Sequence, residues 1–424
     1  MKYRLLAFVF VPLFVNAQQM QTFTLTACYD SAVNNYPNLH QIDLNRAINE
    51  LKKKNIKTTY YPKLSLNGQA SYQSDVTKVP TLVNIPGFSI PELEKDWYKI
   101  NLDIEQMIYD GGLTSNRKKI EDADLRISDQ KILVEIYQLK ERVNNLFFSI
   151  VYLNKSRDIL NILIKNLDLR LADANKAYQN GMLLQSDLDA INVEISSGQQ
   201  KIIEFDSDIE GLLASLNEIC GLDIKSPYQL KLTDIQIADY NFINNRPEYQ
   251  LLSLQQEKVN SLKSLSTVKR MPVFVAFGQM GYGRPGYDML KNEFDDYYMV
   301  GLRLRWSIWD WGRVMREKQV FDIQNSIINS QKATFEQALR ADMRKKVSDI
   351  NKYHKLIEAD EKIVKLQENV LKTAASQMDN GTITTGNYLI EVNKKLRSDL
   401  NLEAHKLQLI YSKILYLTSI GKNQ

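Results

Sequence analysis

The stretch IYDGGLTSNRKK, residues 108–119, decides the fold, because its glycine pair separates a strand-like pattern from a helix-like one. A close copy, IWDWGRVMREKQ, occupies residues 308–319, so Asp110 and Asp310 lie 200 positions apart. Gly and Asp between two periodic segments mark a turn, which makes each copy the junction of a strand with a helix.

The similarity between the two halves extends along the chain in both directions. Asn180-Gly181 recurs as Asn380-Gly381 at the same offset of 200, and Asn34-Asn35 recurs as Asn244-Asn245 at an offset of 210. Self-similarity at a fixed offset indicates a repeated unit, so we predict an internal duplication. The first repeat is assigned to residues 18–221 and the second to residues 244–424, joined by a linker or equatorial segment, residues 222–243.

The composition is that of a folded protein with little net charge. The chain has 424 residues, of which 44% are hydrophobic and 25% are charged, and its formal net charge is +4. A chain this apolar buries a sizeable core, which argues against disorder. Because no block of basic residues accompanies the small charge, no binding of nucleic acid is expected.

The N-terminus has the pattern of a secretory signal peptide, assigned to residues 1–17. Lys2 and Arg4 precede an apolar run from Leu5 to Val15, which ends at the small residue Ala17. A buried N-terminal helix or strand is the alternative. Residues 25–28, which end at Cys28, resemble the end of a lipoprotein signal. The segment before them is polar, so the chain is not expected to be lipid-anchored.

The two cysteines, Cys28 and Cys220, are too few for a disulfide framework. Cys28 is interpreted as an ordinary helix residue. We expect two free, half-buried thiols, and a disulfide between them stays open.

Each repeat contains a β-hairpin in which apolar and polar residues alternate. The first hairpin is assigned to residues 62–109 with an outer loop at 75–96, and the second to residues 272–309 with an outer loop at 284–296. The second strands alternate clearly, with Tyr98, Ile100, Leu102, Ile104 and Ile108 in one hairpin and Tyr298, Val300, Leu302, Leu304 and Ile308 in the other. Period 2 predicts strands with one apolar and one charged face.

In a soluble protein, the apolar face of such hairpins would cover a core. The export signal and the aromatic residues at the strand ends favour a barrel in a lipid bilayer instead, with the charged face lining water. Four strands cannot close a barrel, for which about eight is the practical minimum, and lipid does not tolerate open edges. Several copies of the chain are therefore predicted to share one barrel.

A long helical hairpin follows each strand pair. Residues 113–220 are predicted to turn at 180–182, and residues 313–420 to turn at 380–382. Apolar residues such as Ile132, Ile136, Leu139 and Val143 recur at alternating spacings of four and three, and no proline interrupts residues 113–180. A helix of that length would extend about 100 Å, which exceeds what a globular core needs.

Several motifs occur in a characteristic order. Tyr-Pro-Lys-Leu-Ser-Leu at 61–66 follows an Asn-x-Pro helix segment, a strand ends at Asp110, and Tyr178-Gln-Asn-Gly181 precedes Ser186-Asp187-Leu188. With the export signal and the duplication, this order resembles the TolC-like family of outer-membrane efflux proteins, over essentially the whole chain after the signal peptide.

The resemblance implies a mixed α/β membrane protein. It would be a homotrimer with one 12-stranded antiparallel β-barrel, four strands from each chain, continued by a periplasmic α-helical barrel. The localisation would be the outer membrane of a Gram-negative bacterium. The partners would be membrane lipid, a periplasmic adaptor protein and an inner-membrane transporter, in a tripartite efflux or type I secretion system.

The resemblance also assigns functional positions. The adaptor would dock on the turns at the periplasmic tip, which are Asn180, Gly181, Met182, Leu183, Asn380, Gly381, Thr382 and Ile383. The barrel lumen would be lined by Lys99, Asn101, Asp103, Glu105, Arg303 and Arg305. A constriction would lie near Tyr178, Asp187, Asp379 and Asn387. The second repeat departs from the family pattern here. Asn387 stands where the first repeat has Asp187, and Met378 stands where the first repeat has Tyr178.

The sequence shows no pattern of an enzyme. GYGRPG at 281–286 matches a dinucleotide-binding motif, but Pro285 lies inside it and no crossover helix follows. His40, His354 and His405 have no second His or Cys at ligand spacing, so neither a metal site nor a cofactor is expected. The acidic residues alternate with lysines along helices, as on solvated surfaces.

Three functional hypotheses remain. The first is a passive duct across the outer membrane. The second is a structural or adhesive surface protein whose helices form a coiled coil without a channel, which would have no use for four alternating strands. The third is a soluble periplasmic helical protein with a small sheet. The sequence favours the duct.

Overall fold

The computed structural model describes residues 21–77, 93–232, 235–237, 240, 242, 244–289 and 291–422. The predicted signal peptide, residues 1–17, lies outside the described residues, as do residues 78–92 of the first predicted outer loop. Parts of the predicted linker, residues 222–243, lie outside them as well.

The described chain contains six strands and seven α-helices. The strands are β1 (Gln21–Thr24), β2 (Lys63–Tyr72), β3 (Asp96–Tyr109), β4 (Tyr228–Lys231), β5 (Val273–Arg284) and β6 (Asp295–Arg305). The helices are α1 (Leu25–Asn35), α2 (Gln41–Lys57), α3 (Leu113–Gln179), α4 (Gln185–Cys220), α5 (Pro247–Val268), α6 (Arg313–Asp379) and α7 (Thr385–Ser419). Both halves therefore have the order helix, two strands, two long helices.

The chain divides into two compact units. The sheet unit contains His40–Ile132 and Glu248–Phe335. The helical unit contains the described residues of Met1–Leu39, Leu133–Pro247 and Glu336–Gln424. The long helices α3 and α6 contribute residues to both units.

One antiparallel sheet, in the order β2-β3-β5-β6, forms the centre of the sheet unit. Strand pairing places Leu66 opposite Leu102, Leu102 opposite Met280, and Met280 opposite Tyr298. Because successive side chains of a strand point to opposite faces, this apolar row shares one face. Leu66 is 69% exposed and Tyr298 is 78% exposed, so the apolar face is open in a single chain.

The predicted alternation is wrong near the end of β3. A β-bulge between Met107 and Tyr109 places Tyr109, rather than Ile108, opposite Phe274. The rings of Tyr109 and Phe274 lie 6.4 Å apart. An extra residue in one strand shifts the alternation by one, which a period-2 pattern cannot anticipate. In the second hairpin, β6 ends at Arg305, so Ile308 lies beyond the strand.

The first junction of strand and helix is held by the carboxylate of Asp110. Its oxygens accept hydrogen bonds from the backbone N–H groups of Gly112, at 2.8 Å, and Thr114, at 2.6 Å, and from the hydroxyl of Tyr60, at 2.8 Å. These bonds satisfy amides at the start of α3 that have no partner inside the helix. Burial alone would raise the pKa of Asp110, but the hydrogen bonds from Thr114, Tyr60 and Gly112 hold it below its usual value.

The second junction repeats this geometry. The carboxylate of Asp310 accepts hydrogen bonds from the N–H groups of Gly312 and Val314, both at 3.1 Å. The same residue types therefore begin α6 in the same way as α3.

Each of the long helices α3 and α6 has 67 residues, and a glycine in the left-handed conformation lies two residues after its end. Gly181 has a φ of 72° and Gly381 a φ of 69°. Beyond them, the N–H of Met182 donates to the carbonyl of Ala177 at 2.9 Å, and that of Thr382 donates to Gln377 at 2.8 Å. This closing pattern satisfies the last helix carbonyls and turns the chain into α4 and α7.

The main hydrophobic core of the helical unit joins α1 to α3, α4 and α7. Val143 and Ile150, from the predicted seam of α3, are fully buried there, together with Phe147. Ile414 of α7 belongs to the same core and is 2% exposed. The spacing of apolar residues by four and three therefore identified the packed side of this helix correctly.

Two short strands in the helical unit were not predicted. β1 pairs in parallel with β4, with Gln21 opposite Tyr228 and Thr24 opposite Lys231. Strands of four residues carry too few alternations to be recognised in a sequence. The pairing attaches the start of the described chain to the predicted linker.

Both cysteines are more deeply buried than expected. Cys28 lies in α1 and Cys220 ends α4, and their exposures are 0% and 2%, so the expectation of half-buried thiols is wrong. Both are free, and the sulfur of Cys220 lies 3.4 Å from the carbonyl oxygen of Cys28. The contact with Cys220, together with burial, raises the pKa of the Cys28 thiol above its ordinary value.

The junction at Gly111 and Gly112 generates a testable prediction. Gly111 has a φ of 69°, and a Cβ there would lie 2.6 Å from the Cβ of Met271, whereas Gly112 has a φ of 92° and its nearest neighbour would be 3.8 Å away. Gly112→Ala should lower the free energy of unfolding by about 1–2 kcal/mol through backbone strain alone. Gly111→Ala should cost about 1–3 kcal/mol more, because the new methyl group is overpacked. Chemical unfolding in detergent, followed by helical circular dichroism, measures the difference, and equal losses would contradict the close approach to Met271.

Candidate functional site

The predicted lumen residues lie on the polar face of the sheet, opposite the apolar row. Lys99, Asn101, Asp103 and Glu105 alternate along β3, and Arg303 and Arg305 along β6. Since alternation puts these side chains on one face, the structure brings the six predicted positions together on one surface.

Asp103 is the centre of a hydrogen-bond network on this polar face. One carboxylate oxygen accepts from the amide groups of Asn67 and Asn101, each at 2.5 Å, and the other accepts from Gln279 at 2.6 Å. The hydroxyl of Tyr287 donates to Gln279 at 3.0 Å. Asn67 and Gln279 belong to the polar series of their strands, but they are not among the six predicted lumen positions.

Two basic residues of the polar face, Arg303 and Lys99, have specific partners. Arg303 forms an ion pair with Glu105 at 3.3 Å, and its guanidinium lies 4.8 Å from the ring centre of Phe277. The amine of Lys99 lies 5.2 Å from the ring of Trp97. Paired charges and stacked cations hold the side chains against the sheet, which leaves a hydrated surface of mixed charge.

The two predicted tip turns are closely similar, and their first three residues are exposed, whereas the fourth, Leu183 or Ile383, is partly buried against an apolar cluster. Met182 is 69% exposed, and no atom would lie within 4 Å of a Cβ at Gly181 or Gly381. The side chains of Asn380 and Thr382 donate to helix carbonyls of α6, at 2.9 Å and 2.8 Å. The turns are therefore fixed by their own hydrogen bonds, while their outer surfaces are open.

The four predicted constriction residues occupy different environments. Asp187 accepts a hydrogen bond from the N–H of Leu184 at 3.1 Å, so its carboxylate stabilises the start of α4. Tyr178 is 42% exposed. The backbone N–H of Asn387 donates to the side-chain hydroxyl of Thr384 at 3.2 Å, at the start of α7. Asp379 alone bonds to another helical hairpin.

The partner of Asp379 is Arg170, which is not among the predicted site residues. One guanidinium nitrogen of Arg170 lies 2.9 Å and 3.2 Å from the two carboxylate oxygens of Asp379. The guanidinium also lies 5.6 Å from the ring centre of Tyr388, which is 6% exposed. Burial would lower the pKa of Arg170, but Tyr388 and Asp379 outweigh it and raise the pKa, so Arg170 stays charged.

These contacts connect the two helical hairpins near their turns. Leu167 and Ala174 of α3 pack in one apolar cluster with Leu188 of α4 and Val392 of α7. Beside it, a cavity of about 470 Å³ is lined by residues of both hairpins, including Arg170, Met182, Met378 and Asp379. Arg170 lies beside the predicted seam positions Leu167 and Leu171, so the spacing of the apolar residues does not single it out.

Among the described residues, no three His, Cys, Asp or Glu side chains are grouped so that they could hold a metal ion. Gly281 and Gly283 of the GYGRPG motif pair within β5 and β6, so they continue a strand and form no phosphate-binding turn. Within the described part of the chain, no helix is both long and apolar enough to cross a membrane.

The sequence matches no protein-family model, and no curated protein matches it. Solved structures do resemble the fold. CusC, described with conformational changes that accompany folding and transmembrane channel formation, is 13% identical, has a TM-score of 0.72 and covers 100% of this chain and 99% of its own.

Two further structures agree with it. The outer-membrane protein VceC of Vibrio cholerae is 13% identical, with a TM-score of 0.68 and coverage of 94% of this chain and 96% of its own. The open state of the Neisseria gonorrhoeae outer-membrane channel MtrE is 12% identical, with a TM-score of 0.67 and coverage of 94% and 89%. Likeness at this level of identity establishes architecture over nearly the whole chain, and the protein therefore has the TolC-like fold of these channels.

Proposed function

We propose that the protein is a passive channel of the outer membrane, through which substrates leave the periplasm of a Gram-negative cell. The observation that carries the proposal is the β2-β3-β5-β6 sheet, which has an exposed apolar face and a charged face. A soluble protein would cover such an apolar face with its own chain. The predicted signal peptide, residues 1–17, supports export of the chain.

The apolar face has the properties of a surface in contact with lipid. Leu302 is 77% exposed, Val300 is 76% exposed and Leu66 is 69% exposed, all on the face opposite the Asp103 network. Strands of 10 to 14 residues are long enough to cross the hydrocarbon layer when tilted. The face that carries Asp103 and Arg303 would line the water-filled lumen.

Closure of the barrel requires more than one copy of the chain. Within the described residues, β2 pairs only with β3, and β6 only with β5, so the sheet has two free edges. Hydrocarbon does not tolerate unpaired backbone groups, and about eight strands are the minimum for a closed barrel. The TolC-like fold supports three copies, whose four-stranded sheets would complete a barrel of twelve strands.

Exposed apolar stripes on the helices of the sheet unit support the same assembly. In α2, Leu44 and Leu51 are each 61% exposed, with Ile48 between them. In α6, Ile323 is 61% exposed and Ile327 is 53% exposed. Apolar side chains at intervals of three and four form a stripe along one side of a helix, which suits packing against helices of a neighbouring copy.

The helical hairpins would continue the barrel into the periplasm, and the turns at Gly181 and Gly381 would form its tip. Exposed Met182 supports docking of a periplasmic adaptor at this tip, which would connect the channel to an inner-membrane transporter. The repeated order of elements in both halves supports an internal duplication, which would place a turn from each repeat at the same end.

The ion pair between Arg170 and Asp379 would restrict opening of the tip. It joins α3 to α6, and the side chains of Arg170 and Asp379 are 26% and 55% exposed, so solvent screens part of their attraction. A bond of this kind can bias a closed state without locking it.

The proposal is tested first by the mass of the purified protein in detergent and by its conductance in planar lipid bilayers. We expect a trimer and discrete conductance steps. A monomer that stays soluble without detergent and forms no channel would mean that the sheet covers an ordinary core. A trimer that never conducts would favour a coiled-coil surface protein.

The orientation of the sheet is tested by Leu66→Arg and its neighbour Ser65→Arg. Leu66 lies on the apolar face and Ser65 on the polar face of the same strand, and both are exposed. Leu66→Arg should destabilise the inserted protein by about 2–4 kcal/mol at the middle of the bilayer, whereas Ser65→Arg should cost far less. Unfolding from lipid vesicles in denaturant measures both, and equal losses would contradict a lipid-facing Leu66.

The tip restriction is tested by Arg170→Ala. Loss of an exposed ion pair worth about 0.2–1 kcal/mol should raise the ratio of open to closed channels about 1.5- to 5-fold, which single-channel recordings measure. Lys176→Ala is the matched control, because it removes the 3.0 Å ion pair of Lys176 with Asp173 within α3 alone. The same increase in both variants would mean that the bond to Asp379 does not restrict the tip.

A further inference from the structure

The two cysteines of the chain meet where the N-terminal helix α1 packs on the end of α4. Cys28 lies in the first turn of α1, and Cys220 is the last residue of α4. The sulfur of Cys220 lies 3.4 Å from the carbonyl oxygen of Cys28, and the two thiols are close enough to hydrogen-bond with each other. The sequence contains no third cysteine, so each thiol has a single partner within the chain.

Contacts other than those of the thiols hold the two helix segments together. The side-chain amide of Asn35, at the end of α1, donates to the carbonyls of Glu218 at 3.0 Å and Ile219 at 3.3 Å. Tyr29 of α1 and Leu216 of α4 are buried in the same core. A disulfide forms without strain only where the backbone already brings two cysteines side by side. The packing of α1 on α4 supplies that arrangement.

Packing at this point does not require sulfur. Ile420 stands where the first half has Cys220, at the offset of 200, and Ala238 stands where it has Cys28, at the offset of 210. Ile420 is 2% exposed, as Cys220 is, so a hydrocarbon side chain fills the corresponding position of the second half. Two thiols in contact therefore point to a reaction between them.

We infer that Cys28 and Cys220 are joined by a disulfide in the exported protein. Disulfides persist in compartments outside the cytosol, and the predicted signal peptide, residues 1–17, directs the chain to such a compartment. The inference rests on the proposed function, because it requires export of the chain to the periplasm.

The oxidant is the disulfide of a periplasmic thiol oxidoreductase. The thiolate of one cysteine attacks a sulfur of that disulfide and displaces the other sulfur, which gives a mixed disulfide. The second cysteine then attacks the first, forms the bond between Cys28 and Cys220, and releases the oxidoreductase as a dithiol. Two electrons and two protons thus pass from the thiols to the oxidoreductase. Because both thiols are buried in the folded chain, the exchange takes place before α1 is fully packed on α4.

The bond would close residues 28–220 into one covalent ring, which contains β2, β3, α3 and α4. A cross-link of this kind stabilises the folded chain mainly by restricting the unfolded one, and the effect increases with the length of the closed loop. The second half, with Ile420 and Ala238, would have no such ring.

The inference is tested by counting disulfide-bonded thiols in the protein from cells that express the full chain. Outer membranes are prepared and then dissolved in hot detergent, with N-ethylmaleimide present throughout to block free thiols. The protein is then reduced and treated with a maleimide that carries a polymer tag, so that only thiols from a disulfide gain the tag. The single variants Cys28→Ala and Cys220→Ala are the matched controls, because each leaves one thiol without its partner.

We expect two tags on the wild type after reduction, none without reduction, and none on either single variant. A wild type without tags after reduction would have free thiols and would overturn the inference. Two tags on a chain that runs as a dimer on a non-reducing gel would mean a bond between copies and would also overturn it. A chain absent from the outer membrane and found in the cytosol would overturn the proposed function itself.

Chemical unfolding tests the effect of the covalent ring. A reductant should lower the denaturant midpoint of the wild type and leave the midpoint of the double variant, with Cys28→Ala and Cys220→Ala, unchanged. An equal shift in both proteins, or none in either, would contradict stabilisation by a bond between Cys28 and Cys220.

Discussion

The fold depends on one interaction made twice, in which an aspartate carboxylate accepts hydrogen bonds from the first amides of a long helix. Asp110 and Asp310 each lie three residues before the first residue of a long helix and bond to the amides at its start. The amides there have no partner inside the helix, and the positive end of the helix dipole favours a negative charge. Because the turn allows only a few backbone conformations, the carboxylate and the adjoining glycine set the direction in which each helix leaves the sheet.

The two units are folded for different surroundings. The helical unit encloses Val143, Phe147 and Leu216 completely, as expected for a structure that excludes water from its core. The sheet unit, in contrast, exposes apolar side chains such as Leu66 and Leu302 along one face of its sheet. The same residue types are stabilising in both places only if the solvent around the sheet is itself apolar.

Sequence reasoning was strongest where a physical period extends over many residues. The seam through Val143 and the two strand faces follow from periods of 3.5 and 2, which accumulate over many turns and pleats. It failed where one residue or one distant contact decides the result. The bulge at Ile108 shifts the register of β3 by one position. Strand β1 pairs with β4, which lies far along the chain. Arg170 is recognisable as the partner of Asp379 only when the two helical hairpins lie side by side.

The attachment of the N-terminal segment has a consequence for the order in which the chain folds. The side chain of Asn35 donates to the carbonyl of Glu218, 183 residues later, and Cys28 meets Cys220, 192 residues later. A chain that crosses a membrane from its N-terminus delivers α1 long before either partner. Such distant contacts form slowly, because a long loop must close before they contribute. In such a chain, α1 is thus among the last elements to be packed, because α4 follows it much later along the sequence.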